Sequence, residues 1–280
     1  AKFNFVATDG EVTLDKVSFE VTNTTGTVND TITSITVAGK TGYVVGSKVT
    51  ISGLGFTIPA GNAGKSLPVE VTYNNVGKTI TEAPIVSNTV SRLTLTGFEY
   101  LAGNTRTPVT SLTVSAKDMN VVSAIPSVTL NQDNRTGLIN GEVKLADITV
   151  STEKEGGAIL LQELPITVTS TGAVNIADAT VVVRDEAGRD VTTTGVLGVA
   201  TGASGNATIV FNGTGYRIEA GSSKTFSIYA TAAGVAADNA LSTKLGAKAS
   251  FKFTDVNSDT AGIVGTPMYT YSTNSSSIHN

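Results

Sequence analysis

The chain has 280 residues, of which 15% are charged, and it carries a formal net charge of −4 with no cysteine and no tryptophan. The lack of cysteine excludes disulfide scaffolds, thiol catalysis, zinc fingers and iron–sulfur sites. The single histidine, His279, excludes His-based triads and multi-His metal sites. Scattered basic residues in an acidic chain exclude a nucleic-acid partner, and the absence of a long apolar run excludes membrane insertion by a helix.

Polar and apolar residues alternate along most of the chain, a period-2 pattern that is typical of strands with one buried face. Turn-forming pairs such as Asn74-Asn75 and Asn212-Gly213 separate the alternating segments. No segment keeps an apolar helical face for three turns. The sequence therefore predicts an all-β fold with sandwich packing. In chain order, the clearest predicted strands are residues 17–21, 32–37, 93–95, 112–114, 166–168, 226–228 and 251–253.

Two pairs of segments repeat within the chain. Residues 10–25 align without gaps to residues 157–172, and residues 49–61 align without gaps to residues 209–221. Such self-similarity indicates a duplicated domain. We predict domain 1 at residues 1–118, domain 2 at residues 119–260, and a Ser/Thr-rich C-terminal tail or donor strand at residues 261–280. The matched residues of the second pair are Gly53, Gly55, Ile58, Ala60 and Gly61 with Gly213, Gly215, Ile218, Ala220 and Gly221, and Lys65 matches Lys224 after a one-residue gap.

The two copies differ at their start. The second copy has an additional candidate strand at residues 127–131, whereas the first begins at Phe3-Asn-Phe5, which matches Ile148-Thr-Val150. The first domain is therefore expected to lack its opening strand, which leaves an unpaired edge that a strand from another chain could complete. The alternatives are that residues upstream of Ala1 supply this strand or that the domain needs fewer strands. The residues predicted to carry assembly are Phe3, Phe5, Met268, Tyr269, Tyr271 and Ile278.

One local pattern points to a metal. Asp255, Asn257 and Asp259 place oxygen ligands at alternate positions, as a calcium loop does. The glycine and glutamate of an EF-hand are missing, which excludes that motif. A looser Ca²⁺ site and a solvated turn both remain open, and no other cofactor is indicated.

No catalytic motif is present, so the sequence predicts that the protein is not an enzyme. A hydrolase would need two carboxylates that the fold brings together. The aromatic content of 6% disfavours the ring platforms of sugar-binding sites. A Lys–Asn isopeptide crosslink at Lys65 or Lys224 is a further alternative. Asn-x-Ser/Thr sequons permit attached glycans without indicating them, because their frequency is that expected by chance; they lie at Asn23, Asn29, Asn134, Asn206, Asn212 and Asn274.

Two segments carry a resemblance to a known group of proteins. The segment from Ile218 to Phe226 and the strand Phe251-Lys-Phe-Thr-Asp255 resemble the repeat-built immunoglobulin-like β-sandwiches of bacterial cell-surface and surface-layer proteins. The segment from Tyr269 to Asn280 is similar to the junctions between such modules. The resemblance implies two tandem immunoglobulin-like domains with an extracellular, cell-surface location, and it supplies no binding residues.

These observations lead to one functional hypothesis and one alternative. The chain is expected to be a structural subunit of an extracellular bacterial filament or surface layer (S-layer). Copies of the chain would join head to tail through β-strand complementation or domain-face contacts. The alternative is a monomeric adhesin or stalk module that binds a surface ligand through its loops.

Overall fold

The computed structural model describes residues 1–24, 26–77, 85–86, 89–154, 156–191, 193–257, 260–264, 268 and 270–280. Two compact units are present, Ala1–Val122 (unit 1) and Ser123–Asn280 (unit 2). Among the described residues the helical segments are α1 (Val28–Thr31) and one 3-10 turn, Lys248–Ser250. Neither segment approaches the length and hydrophobicity that a membrane-spanning helix needs. The predicted all-β fold class is confirmed.

Unit 1 contains two larger sheets and one short parallel pair. The first sheet has the strand order β1-β6-β3-β4, and the second has the order β10-β9-β2-β5, with β11 and β12 also paired to β9. The short pair consists of β7 and β8. The strands are β1 (Lys2–Ala7), β2 (Val12–Asn23), β3 (Ile32–Val37), β4 (Lys40–Gly42), β5 (Lys48–Ile58), β6 (Gly61–Tyr73), β7 (Val76–Gly77), β8 (Ile85–Val86), β9 (Thr89–Ala102), β10 (Thr105–Val109), β11 (Val114–Ser115) and β12 (Met119–Val121).

The core of unit 1 lies between its two larger sheets. The inward residues of β1 meet aromatic side chains of the opposite sheet. Phe3 packs on Phe19 of β2 with ring centroids 5.4 Å apart, and Phe5 meets the edge of Phe98 of β9 at 5.3 Å. The alternation of buried and exposed residues along β1 follows directly from the period of a strand. Unit 1 is therefore a β-sandwich.

Unit 2 also contains two sheets. One has the order β13-β15-β23-β17-β20, with β18 on β23; the other has the order β14-β27-β24-β16-β21-β19, with β22 and β25 on β16 and β26 on β25. The strands are β13 (Pro126–Leu130), β14 (Asn134–Thr136), β15 (Gly141–Thr152), β16 (Ile159–Thr171), β17 (Asn175–Thr180), β18 (Val182–Arg184), β19 (Thr193–Thr194), β20 (Val196–Val199), β21 (Ser204–Phe211), β22 (Tyr216–Ile218), β23 (Ser223–Ala233), β24 (Ala240–Leu245), β25 (Lys252–Asp255), β26 (Thr260–Val264) and β27 (Ser275–His279).

The core of unit 2 is built in the same way. Phe226 of β23 is fully buried and packs against Phe211 of β21, on the opposite sheet, with ring centroids 5.3 Å apart. Tyr216 of β22 adds an edge-on contact to Phe226 at 4.9 Å. Offset and edge-on ring pairs of this kind hold two sheet faces together. Unit 2 is a second β-sandwich.

Strand register makes the two units equivalent position by position. Phe5 lies opposite Lys65 in unit 1, and Val150 lies opposite Lys224 in unit 2, as the sequence alignment predicts. The same agreement holds at the far end of the repeat. There Val12 lies opposite Ile58 in unit 1, and Ile159 lies opposite Ile218 in unit 2.

The unit boundary and the C-terminal segment differ from the sequence expectation. Strand β12 pairs with β9, so residues 119–121 belong to unit 1 rather than to the second domain. Residues 261–280 were expected to form a separate tail or donor strand. Their described residues belong to unit 2, where β27 pairs with both β24 and β14. The alternation of β27 is hard to detect in the sequence because Ser276 and Ile278 are its two buried residues and only Ile278 is apolar.

Candidate interaction site at the edge of unit 1

Strand β1 is the edge strand of its sheet. It pairs with β6 on one side, and no described residue pairs along its outer side. The N–H of Val69 donates to the carbonyl of Ala1 at 2.9 Å, so the polar backbone groups of Ala1, and by alternation those of Phe3 and Phe5, face β6. The backbone N–H and C=O groups of Lys2 and Asn4 therefore point to the open side. These unpaired groups form a template for another strand.

The equivalent edge of unit 2 is covered. Strand β13 pairs with β15 in antiparallel register, with Val128 opposite Val150 and Leu130 opposite Ile148. Val128 and Leu130 are fully buried. The outer side of β13 is covered in turn, because Val128 exchanges backbone hydrogen bonds with the segment from Thr270 to Ser272. Unit 2 thus holds, within its own chain, the strand that unit 1 lacks among its described residues.

The exposed fractions of the inward residues of β1 and β15 reflect this difference between an open and a covered edge. Ile148 and Val150 are 0% exposed, whereas their counterparts Phe3 and Phe5 retain 5% and 8%. Val6, on the same edge strand, is 51% exposed. The inward residues of β1 are therefore buried, but they keep a small exposed fraction that their counterparts in unit 2 lack.

A groove of about 520 Å³ opens beside β1 in unit 1. Apolar side chains dominate its walls, and the exposed carboxylates of Asp9 and Glu11 lie at one end. Its volume falls in the range of about 300–1,000 Å³ that is typical of binding pockets. The residues that line it include Phe5, Ala7, Leu14, Ile58, Phe98 and Tyr100.

The counterpart of this groove in unit 2 is filled by the chain itself. Gly10 and Ala102 line the groove in unit 1, and register makes them equivalent to Gly157 and Asp255 of unit 2. Between those two residues lies Ser123, whose carbonyl accepts from the N–H of Gly157 at 2.8 Å and whose N–H donates to Asp255 Oδ2 at 2.9 Å. The groove of unit 1 is therefore the space that residues 123–128 occupy in unit 2.

The predicted assembly residues fall into two groups. Phe3 and Phe5 lie on the open edge strand, as described above. Ile278 is buried in β27, and the hydroxyl of Tyr271 donates to the carbonyl of Gly246 at 3.0 Å while its ring packs on Phe251. Burial raises the pKa of Tyr271 to about 12. Met268 is half-buried, and Tyr269 lies outside the described residues.

The predicted calcium site falls only partly on the described residues, and it stays a prediction. Asp255 is fully buried, and its carboxylate accepts hydrogen bonds from the N–H and hydroxyl of Ser123 and from the N–H of Asn257. Asn257 is exposed, and Asp259 lies outside the described residues. Among the described residues no group of three or more Asp, Glu and His side chains is placed to hold a metal ion. The structure therefore gives Asp255 a structural role that the spacing pattern did not reveal.

The lysines considered for an isopeptide crosslink lie at the surface. Lys65 donates to the carbonyl of Thr57 at 2.8 Å and sits over the ring of Phe56. Lys224 faces Glu186 with its Nζ 3.7 Å from a carboxylate oxygen. These contacts are surface interactions, in keeping with lysines that follow a turn.

Comparisons with known proteins were made by sequence and by structure. No protein-family model and no curated protein matches the sequence. Among solved structures, the seventh type I cohesin of ScaB from Pseudobacteroides cellulosolvens matches at 11% identity over 55% of this chain and 91% of the cohesin, with a TM-score of 0.29. The cohesin CaCohA2 from Clostridium acetobutylicum matches at 12% identity over 55% and 91%, with a TM-score of 0.27. Collagen adhesin from S. aureus matches at 10% identity over 100% and 85%, with a TM-score of 0.24.

Proposed function

We propose that the chain is a non-enzymatic structural subunit of an extracellular bacterial assembly, joined to its neighbour by a strand that adds to the outer edge of β1. One observation carries the proposal. The two units share a register, yet β15 is paired on both sides, whereas within the described part of unit 1 strand β1 is paired on one side. An added strand would complete the sheet by main-chain hydrogen bonds and close the core with its side chains.

The energetics favour such an addition. Each backbone hydrogen bond that replaces water contributes a net ~0.5–1.5 kcal/mol. Covering the groove walls adds roughly 25 cal/mol for each Å² of apolar surface removed from water. Both contributions depend on an extended partner, because only a strand can satisfy the groups of Lys2 and Asn4 while its side chains enter the groove.

The extracellular assignment rests on composition. The chain has few charged residues and is rich in Thr, Ser, Gly and Val, as wall-exposed β domains are. Two β-sandwich units that contain no cysteine depend on their apolar cores rather than on disulfides for stability. This makes them suited to a load-bearing repeat that folds without an oxidising step.

A single substitution tests the assembly role. Asn4→Pro removes the backbone N–H that points away from β6. The side chain at position 4 lies on the exposed face of β1. An edge strand tolerates proline where its N–H faces outward. Asn4→Thr is the matched control, because it keeps the N–H. Sedimentation velocity and electron microscopy over a concentration series would report association for the unmodified chain and both variants.

The outcomes separate the hypotheses. Oligomers or filaments that disappear in Asn4→Pro and persist in Asn4→Thr support the proposal. Assemblies that persist in Asn4→Pro would overturn the role of β1. A chain that stays monomeric at every concentration would overturn self-assembly.

One feature favours an adhesin or stalk module as the second candidate. Tyr43 and Val45 lie between β4 and β5 in unit 1 and are 72% and 79% exposed. Neighbouring exposed apolar side chains on a loop are suited to contact with another surface. Under this function, Tyr43→Ser with Val45→Ser would remove surface binding and leave the folding of the chain unchanged.

A further inference from the structure

The strand that β1 accepts can be described from the chain itself, because unit 2 shows what fits. This inference rests on the proposed function and adds the chemistry of the partner. We infer that the partner is an extended segment of another protein chain that runs antiparallel to β1, carries the alternation of β13 and has no charged residue at its inward positions.

The buried positions of β13 define the residue pattern that the partner segment needs. In β13 the side chains of Val128 and Leu130 are fully buried, and they alternate with the outward hydroxyls of Ser127 and Thr129. At the end nearer the N-terminus, Pro126 is buried as well. A segment for unit 1 therefore needs apolar residues at two alternate positions, preceded by a compact residue such as proline. Charged residues at these inward positions would be excluded by the apolar walls.

The pairing register of β13 with β15 fixes the direction and the alignment of the partner segment. Thr129 lies opposite Thr149, the counterpart of Asn4, and the N–H of Asn131 donates to the carbonyl of Asp147, the counterpart of Lys2. The same alignment on unit 1 places the N-terminal end of the partner segment beside Gly10. The exposed carboxylates of Asp9 and Glu11 lie at that end. An acidic N-terminal end would be repelled there, and a basic one attracted.

Disulfide trapping tests the alignment directly, because the chain contains no cysteine. The probe is a synthetic peptide with the sequence of residues 123–132, carrying one cysteine in place of Thr129 or of Asn131. The full-length chain carries Asn4→Cys or Lys2→Cys. Facing residues of an antiparallel pair lie about 4.5–5.5 Å apart at Cα, within the range that a disulfide bridges.

The expected result is a register-specific pattern. The chain with Asn4→Cys should trap the Thr129→Cys peptide several-fold faster than the Asn131→Cys peptide, and the chain with Lys2→Cys should show the opposite preference. A peptide with Val128→Asp and Leu130→Asp is the pattern control and should lose trapping. Two added N-terminal aspartates should weaken the association, and two added lysines should strengthen it, with both effects reduced by salt.

Other results would overturn the inference. If a chain cysteine traps the Thr129→Cys and Asn131→Cys peptides at equal rates, the disulfides form by random collision and not by strand pairing. If the peptide with Val128→Asp and Leu130→Asp is still trapped, the apolar alternation plays no role. Disulfide-linked dimers of the Asn4→Cys chain, formed as fast with peptide as without it, would show that a second copy's β1 covers the edge instead.

The proposed function is tested separately. Assembly that Asn4→Pro abolishes, together with failed peptide trapping, would keep the strand-accepting function and reject this pattern. Specific trapping with a chain that never assembles would keep the site and reject the self-assembling subunit.

Discussion

Lys16 and Glu99 form a cross-strand ion pair in unit 1, with Nζ and Oε2 3.2 Å apart, and the equivalent positions of unit 2 carry the same pair with the charges exchanged. There Glu163 occupies the position of Lys16, and Lys252 the position of Glu99, with Nζ and Oε1 2.8 Å apart. The geometry of the repeat has been kept while the residues were swapped. We therefore expect this position to require opposite charges rather than particular residues.

Charge exchange in unit 2 tests that requirement. Lys252→Glu places two carboxylates opposite each other and should destabilise unit 2 by about 0.5–1 kcal/mol. The double variant Glu163→Lys with Lys252→Glu should recover most of the loss. Urea unfolding of both single variants and the double variant measures the coupling, and a double variant no more stable than the sum of the singles would contradict the prediction.

Two repeated glycines should differ in their tolerance of a side chain. Gly55 and Gly215 occupy matching positions and both have positive φ, +56° and +108°. A Cβ on Gly215 would lie 2.6 Å from the carbonyl oxygen of Leu161, whereas a Cβ on Gly55 meets nothing within 4 Å. Gly55→Ala should cost about 1–2 kcal/mol from backbone strain alone, and Gly215→Ala should cost clearly more. Thermal denaturation distinguishes them; equal losses would show that the backbone of unit 2 relaxes.

Asp255 should be important for the stability of unit 2. Asp255→Ala leaves the N–H and the hydroxyl of the half-buried Ser123 without their acceptor, and it should cost about 1–3 kcal/mol because a polar group shielded from water loses its partner. Glu153→Ala is the control, because Glu153 is an exposed carboxylate. Chemical denaturation should show a large loss for the first variant and almost none for the second.

Removing calcium tests whether the Asp255 carboxylate also binds a metal ion. Because its oxygens accept hydrogen bonds from three donor groups within the chain, we expect the same unfolding midpoint with millimolar calcium and with chelator. A calcium-dependent rise in the midpoint that is lost in Asp255→Ala would show a metal site at this residue. Isothermal titration calorimetry of the unmodified chain would then measure its affinity.

Local pattern predicted the fold well and the site only in part. The match of Phe3-Asn-Phe5 to Ile148-Thr-Val150 predicts the register of β1 and the unpaired edge, because alternation and repeat spacing are local signals. The role of Asp255 could not be predicted, since its partner Ser123 is 132 positions away. Strand β27 could not be predicted from the sequence either. Its pairing depends on β24 and β14 rather than on its own serine-rich sequence.

We expect Tyr271 to contribute to the alkaline stability of unit 2. Burial raises the pKa of Tyr271 to about 12, above the ordinary value of 10.0. The unfolded chain therefore loses this proton at a lower pH than the folded chain does. The contribution of the neutral hydroxyl is fully present below about pH 10, and it decreases as the pH rises from about 10 towards 12.

Tyr271→Phe isolates this contribution. The variant loses the hydrogen bond to Gly246 and should be less stable by about 1 kcal/mol at pH 8. Its stability should then fall less steeply between pH 10 and pH 11 than that of the unmodified chain, so that the two curves converge. Tyr43→Phe is the control for the loss of a tyrosine hydroxyl, because Tyr43 is 72% exposed and its substitution should leave the stability at pH 8 nearly unchanged. Urea midpoints between pH 8 and pH 11 measure the difference, and parallel curves for Tyr271→Phe and the unmodified chain would contradict the prediction.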